Sequence, residues 1–219
     1  MTMIDWNAID TVLLDMDGTL LDLRFDNWFW QQHVPEQYAK AHGLPADQAE
    51  RKLHDWIGRH QGTLNWYCLD FWTSELGLNI AELKRAAADR IAIRPGAGAF
   101  LDALAASSRR VVMVTNAHRD ALQVKLERTG IERYFDALVS SHDYGHAKEH
   151  QPFWRNLREA HPFDPARTLL VDDSLPVLHS GRRFGLGHLV SIRRPDSSLP
   201  ERDDTRPFQA IDDFLRVLP

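Results

Sequence analysis

The chain has almost no cysteine: Cys68 is the only one in 219 residues. A single thiol excludes an internal disulfide and a zinc site built from a set of cysteines, and it fits a reducing compartment. No apolar run approaches the roughly 20 residues that cross a bilayer. The opening "MTMIDWNAID" carries Asp5 and Asp10 where a secretory signal would place positive charge and then an apolar stretch, so the expected setting is cytoplasmic. Basic clusters are missing too. Lys and Arg total 26 against 31 Asp and Glu, a formal net charge of −5, which removes a nucleic-acid polymer and a membrane surface from the expected partners. There is no internal repeat and no low-complexity tract.

What is present is a 43% hydrophobic composition, enough for a full core. Short apolar runs read as buried strands: "TVLL" from Thr11, "RVVMV" from Arg110, "ALVS" from Ala137, "TLLV" from Thr168 and "HLVSI" from His188. Helical patterns over Ala99 to Ser107, Asp120 to Thr129, Pro152 to Ala160 and Pro176 to Phe184 lie between the later runs. Strand alternating with helix predicts an α/β fold with a parallel, Rossmann-like sheet covered on both faces. Phe208, Ile211, Leu215 and Leu218 predict a last helix docked on that sheet.

Between the first two strands the pattern is helical. Leu64, Tyr67, Cys68, Phe71, Trp72 and Glu75 follow one 3.6-residue period, as do Ala49, Leu53, Trp56 and Ile57, and Asn79 with Glu82 reads as a capping box. The expected organisation is a core of residues 1–21 and 94–219 with an all-helical insert over 22–93.

In open parallel sheets ligands bind beyond the carboxyl ends of the strands, and four polar clusters fall in such places: Asp15-Met16-Asp17-Gly18-Thr19, Thr115-Asn116, Lys148 downstream of "ALVSS", and Asp172-Asp173-Ser174. Each alone has an ordinary reading, as a turn, a helix cap or a surface lysine. Together they combine carboxylates that repel one another unless a hard cation sits among them, an ammonium, and hydroxyl and amide donors. Oxygen-only ligands point to Mg²⁺, which binds through one or two carboxylates plus a substrate phosphate. With Asp15 as the first loop position Gly18 is the fourth, whereas a calcium loop has its Gly at the sixth, which argues against calcium. A carboxylate can serve as nucleophile in phosphoryl transfer, forming an aspartyl-phosphate. A signalling receiver domain assembles similar groups, but it is much shorter and carries its phosphorylated Asp after the third strand.

These residues resemble the haloacid dehalogenase (HAD) superfamily over the whole chain. "DMDGT" is similar to its first motif, implying Asp15 as nucleophile and Asp17 as general acid/base. "VMVTNA" is similar to the second, implying that Thr115 and Asn116 hold the transferring phosphoryl group. "SSHDYGHAK" is similar to the third, implying Lys148 as the cation that neutralises nucleophile and phosphate, although Glu149 stands where family members commonly have Pro. "LLVDDS" is similar to the paired-acid fourth motif, implying that Asp173, with Asp172 beside it, joins Asp15 and Asp17 in holding Mg²⁺. The insert lies where a helical cap of the first type lies in the family. The second aspartate separates the phosphatases from the dehalogenases, whose ester intermediate needs no acid for an alkoxide leaving group. "DLRFDNWFWQQHVPEQYA" and "LVDDSLPVLHSGRRFGLGHLVSIRRPDSS" are similar to a nucleotidase branch of the family. That resemblance implies a small-molecule phosphomonoester substrate, a purine nucleoside 5′-monophosphate such as GMP or IMP; phosphoglycolate or a sugar phosphate, or a mutase reaction, is the alternative.

Substrate choice is expected in the insert. Asn27, Trp30, Arg59 and His60 are the candidates, with Trp28, Trp66 and Thr63 beside them; each has a packing or surface-loop reading as well. His142, His146 and His150 recur every fourth residue, but Gly145 interrupts the helix that a metal face would need. Cys68 lies in an apolar stripe and reads as a packed thiol.

Overall fold

The strand runs alternate between two environments. A computed structural model describes residues 4–219. In it Leu13, Val112, Val114, Val139 and Leu170 face one apolar cluster, while Val12, Leu14, Val111, Met113, Leu169 and Val171 face the other. Both faces of the sheet are therefore covered, as continuous apolar runs require. The strands are β1 (Thr11–Leu14), β2 (Arg110–Thr115), β3 (Ala137–Ser140), β4 (Thr168–Asp172), β5 (His188–Ile192) and β6 (Gln209–Ile211). They form one sheet in the order β3-β2-β1-β4-β5-β6, with all neighbours parallel.

The insert that follows β1 holds six α-helices: α1 (Arg24–Trp28), running through a π-helical stretch into α2 (Val34–His42), then α3 (Ala46–Gly58), α4 (Leu64–Tyr67), α5 (Leu69–Leu76) and α6 (Ile80–Ala86). After it come α7 (Ala97–Ala105), α8 (Arg119–Thr129), α9 (Gln151–Ala160) and α10 (Leu175–Phe184), within two residues of their expected limits. Asn79 Oδ1 accepts the Glu82 N–H at the start of α6, the cap its spacing predicts.

Two expectations fail locally. The stripe from Leu64 to Glu75 is not one helix: Cys68, at φ −85° and ψ 113°, is extended and separates α4 from α5, its Sγ accepting the Phe71 N–H. The last helix is absent as well. Gln209–Ile211 pairs with β5 as the edge strand, and only the 3₁₀ turn Phe214–Val217 follows. Phe208, Ile211, Phe214 and Val217 are buried, but Leu215 and Leu218 are exposed. A strand followed by a turn thus reproduces a helical apolar period, and the unpaired edge of β5 gains ladder bonds that a docked helix would not supply.

Candidate active site

Asp15 is the first residue beyond β1, and β1 lies between β2 and β4, where the strand order reverses direction. Its N–H donates to the Val171 carbonyl at 3.0 Å, extending the β1–β4 ladder by one step and setting Asp15 beside Asp172. Gly18 then turns the chain at φ +81°, a left-handed conformation in which a Cβ would lie 2.7 Å from the Asp173 carboxylate. Only glycine allows the turn and the approach together. In this way the first and last polar clusters are brought into contact.

Lys148 is 2% exposed, and its Nζ donates to Asp15 Oδ1 at 2.6 Å, Asp172 Oδ2 at 2.7 Å and the Val114 carbonyl at 3.0 Å. All three of its protons are engaged. Burial pushes Lys148 down, but the Asp15 and Asp172 charges outweigh it and its pKa rises, so the side chain stays an ammonium. Burial raises Asp172 to about 7 against the pull of Lys148, and burial with the Asp15 and Asp172 charges raises Asp173 well above the ordinary carboxylate range.

Asp15, Asp172 and Asp173 each offer an oxygen within 4.8 Å of the others. Asp15 Oδ2 is buried with no hydrogen-bond partner. Three carboxylates gathered around a single lysine form an all-oxygen donor set that suits a hard divalent cation such as Mg²⁺. Asp172 Oδ2 is committed to Lys148 and Oδ1 accepts the Ser174 N–H at 2.9 Å, which leaves Asp173 the less encumbered of the pair.

The Asp17 side chain lies outside this group. Its Oδ1 is 2.6 Å from Lys125 Nζ, which also reaches Asp26 Oδ2 at 2.7 Å, and Lys84 Nζ is hydrogen-bonded to Asp26 Oδ1. Lys125 and Lys84 are 1% and 2% exposed. Burial raises Asp17 to about 6, with Lys125 pulling the other way; at Asp26 burial opposes but the two lysines win, and it falls to about 2. None of these three partners stood out in the sequence. A signal was there: Lys125 follows Ala121 and Leu122 by four and three residues, and Lys84 follows Ile80 by four, so each lysine occupies the apolar face of its helix.

Thr115 and Asn116 close the other side. Thr115 Oγ1 accepts the Ala117 N–H at 3.0 Å. Asn116 Oδ1 accepts the Lys148 N–H at 2.9 Å and its Nδ2 donates to Glu149 Oε2 at 3.0 Å. Glu149, the departure from the family pattern, takes a second hydrogen bond at Oε1 from the Tyr67 hydroxyl, at 2.8 Å. Burial first, and the Glu149 charge next, raise the Tyr67 phenol well above its usual value, so it stays a donor. Tyr67 is thus an insert residue linked through Glu149 to Asn116, and its place in the apolar stripe disguised it.

The residues expected to choose the substrate are mostly engaged elsewhere. Asn27 Nδ2 donates to Asp196 Oδ2 at 2.7 Å, tying the start of the insert to the loop after β5. Trp30 packs edge-on against Trp72 and Phe29, and Trp28 stacks on His33 under Arg90. His60 packs on Phe71 and Trp72 with Nδ1 at the Trp56 carbonyl; Trp66 packs on Tyr67. Arg59 and Thr63 are exposed in the loop between α3 and α4.

A paired strand-end acid motif, a buried lysine and a helical insertion after the first strand define a class. Residues 9–185 match the family described as haloacid dehalogenase-like hydrolase, and the chain belongs to that family. It is 41% identical to the GMP/IMP nucleotidase YrfG of Escherichia coli K12 over 216 residues, covering 99% of this chain and 97% of the relative. It is 28% identical over 177 residues to the pyrimidine 5′-nucleotidase YjjG of the same organism, covering 75% and 77% of the two chains. Among solved structures, the HAD phosphatase from Thermococcus onnurineus superposes with a TM-score of 0.78 at 21% identity, over 95% of this chain and 96% of the other.

Proposed function

We propose that this hydrolase removes phosphate from purine nucleoside 5′-monophosphates, GMP and IMP, through a phospho-Asp15 intermediate. The observation that carries the reading is the asymmetry of Asp15: Oδ1 is held by Lys148 while Oδ2 is buried, unpartnered and free to attack. Oδ2 forms a bond to phosphorus as the ester P–O bond breaks in line with it. Asp17 gives its proton to the departing ribose oxygen, then takes a proton from the water that attacks phospho-Asp15, releasing inorganic phosphate and restoring both side chains. A carboxyl near 6 is suited to both tasks at neutral pH. Lys148 offsets charge on Asp15 and the phosphate. The Thr115 hydroxyl and the Asn116 amide orient the phosphoryl oxygens, with Lys148 and Asn116 held to each other through the Lys148 N–H.

Asp15, Asp172 and Asp173 would hold Mg²⁺, while the Asp17 side chain, expected among the ligands, is turned to Lys125 instead; when bound, the ion supplies charge neutralisation for the phosphoryl oxygens. The helical insert over 22–93 acts as the cap over the core of 1–21 and 94–219, excluding water and selecting the base. The purine assignment is supported by the 41% identity to a GMP/IMP nucleotidase over nearly the full length of both chains. Among the described residues no helix is long and apolar enough to cross a membrane, and the lone thiol supports a cytoplasmic setting.

Phosphate release with Mg²⁺ is measured on GMP, IMP, AMP, pyrimidine 5′-nucleotides, phosphoglycolate and hexose phosphates, with Asp15→Asn as control. Preference for GMP and IMP, lost in the control, is expected. Equal rates across the nucleotides would remove the purine assignment, preference for phosphoglycolate or a hexose phosphate would reassign the substrate, and full turnover by Asp15→Asn would remove the nucleophile.

A further inference from the structure

A second group of metal-ligating side chains lies away from the oxygen cluster, where the insert meets the core. Cys68 Sγ, at the extended residue between α4 and α5, and one ring nitrogen each of His118 and His142 all lie within 4.8 Å of one another. His118 sits at the N-terminus of α8 and His142 in the 3₁₀ turn after β3. Their rings meet edge-on at 5.0 Å. His142 Nε2 is shut off from solvent and has no hydrogen-bond partner. Asp70, two residues beyond Cys68, brings Oδ2 to 3.6 Å from His118 Nε2.

We propose that Cys68, His118 and His142 form a Zn²⁺ site joining insert to core, with Asp70 or water as the fourth ligand. The donor set is the borderline-soft one that zinc selects, a thiolate and two imidazoles, and it is unlike the oxygen-only set that suits Mg²⁺. Tetrahedral zinc holds such donors roughly 3.5 Å apart, so the ligands close by at most about 1.3 Å, within reach of side-chain rotation at three half-buried residues. Burial, with His118 beside it, lowers His142 to about 4, so its ring is neutral at physiological pH and Nε2 can present a lone pair. The Phe71 N–H, which already donates to Sγ, remains as a partner for the bound thiolate. Binding releases the thiol proton to solvent and involves no redox change. Sequence spacing hides the set, because positions 68, 118 and 142 belong to three separate elements.

The test is titration of the Mg²⁺-loaded full chain with Co²⁺, a spectroscopic stand-in for Zn²⁺. One equivalent is expected to give thiolate-to-cobalt charge-transfer absorption that added Zn²⁺ abolishes. Cys68→Ser loses the band and His142→Asn weakens Co²⁺ binding at least tenfold. Asp173→Asn, in the oxygen cluster, keeps the band. Absence of the band in the unaltered chain overturns the site whatever the variants do. So does its persistence in Cys68→Ser, or its loss in Asp173→Asn.

Discussion

Lys125→Met removes the cation held between the Asp17 and Asp26 carboxylates. The methionine keeps much of the volume of the lysine stem, so packing changes little, while Asp17 and Asp26 lose partners at 2.6 and 2.7 Å. The Asp17, Asp26, Lys84 and Lys125 group passes from neutral to one uncompensated negative charge in a site where both lysines are almost fully buried. Breaking a buried pair in this way costs about 3–5 kcal/mol, because the remaining charge keeps its desolvation penalty. For a chain of this size each kcal/mol moves the melting temperature by roughly 2–4 °C, so a fall of about 6–20 °C is expected in thermal unfolding. Adding Asp26→Asn leaves Asp17 and Lys84 as a balanced remnant, and the double variant should recover about 0.5–3 kcal/mol relative to the sum of the single losses. A second effect falls on Asp17. Lys125 opposes the burial that raises its carboxyl to about 6, so removing the lysine drives that value higher and shifts the pH–activity profile toward alkaline pH. A melting temperature within about 2 °C of the parent, together with an unmoved pH profile, would refute the assignment of Lys125 to this network.

Tyr67→Phe deletes the hydroxyl that donates to Glu149 Oε1; it should cost about 1–2 kcal/mol of stability and raise KM severalfold, and steady-state kinetics identical to the parent would show that this contact does not serve the site. His142 is held near 4 in the folded chain against about 6.5 when free, so as pH falls from 6.5 to 4 the unfolded chain takes the proton first and stability is lost in that window. The stability of the parent relative to His142→Asn should therefore fall by about 2 kcal/mol between pH 7.5 and 4.5, somewhat less than the full shift because the ring keeps partial contact with solvent; denaturant curves that stay parallel across that range would contradict it.

The fold was legible wherever one periodicity meant one structure. Five apolar runs became five strands of the sheet because a strand covered on both faces has no other composition available to it. The sixth, Gln209–Ile211, is too short and carries too exposed a first residue to register beside the buried run of Phe208, Ile211, Phe214 and Val217. The strand-end rule found Asp15, Thr115 and Asp172 because backbone direction alone puts them at the rim. It did not find Asp26, Lys84, Lys125 or Tyr67. Their roles depend on how the insert lies against α8 and the loop before α9, and a lysine in a helix reads as solvated until its helix face is considered. Trp30 and His60 show the opposite case: part of the aromatic surface that looked available for a base packs against Trp72.

The two buried charge groups explain why the aspartates of one short motif go separate ways. Asp15 shares Lys148 with Asp172, and Asp173 adds a third carboxylate whose backbone carbonyl, not its side chain, is what Arg202 reaches. That group sets three carboxyls against one ammonium, and burial with mutual repulsion raises Asp172 and Asp173, a condition that a divalent cation taking the place of their protons would relieve. Asp17, two residues on, points instead into a group whose two lysines already balance its two carboxylates. A carboxyl there gains little from a metal, and its proton affinity is set by burial against one lysine. The roles proposed for the two residues divide along the same line: the proposed nucleophile shares one lysine with two further carboxyls, and the proposed acid/base sits in a balanced group that holds its carboxyl near 6.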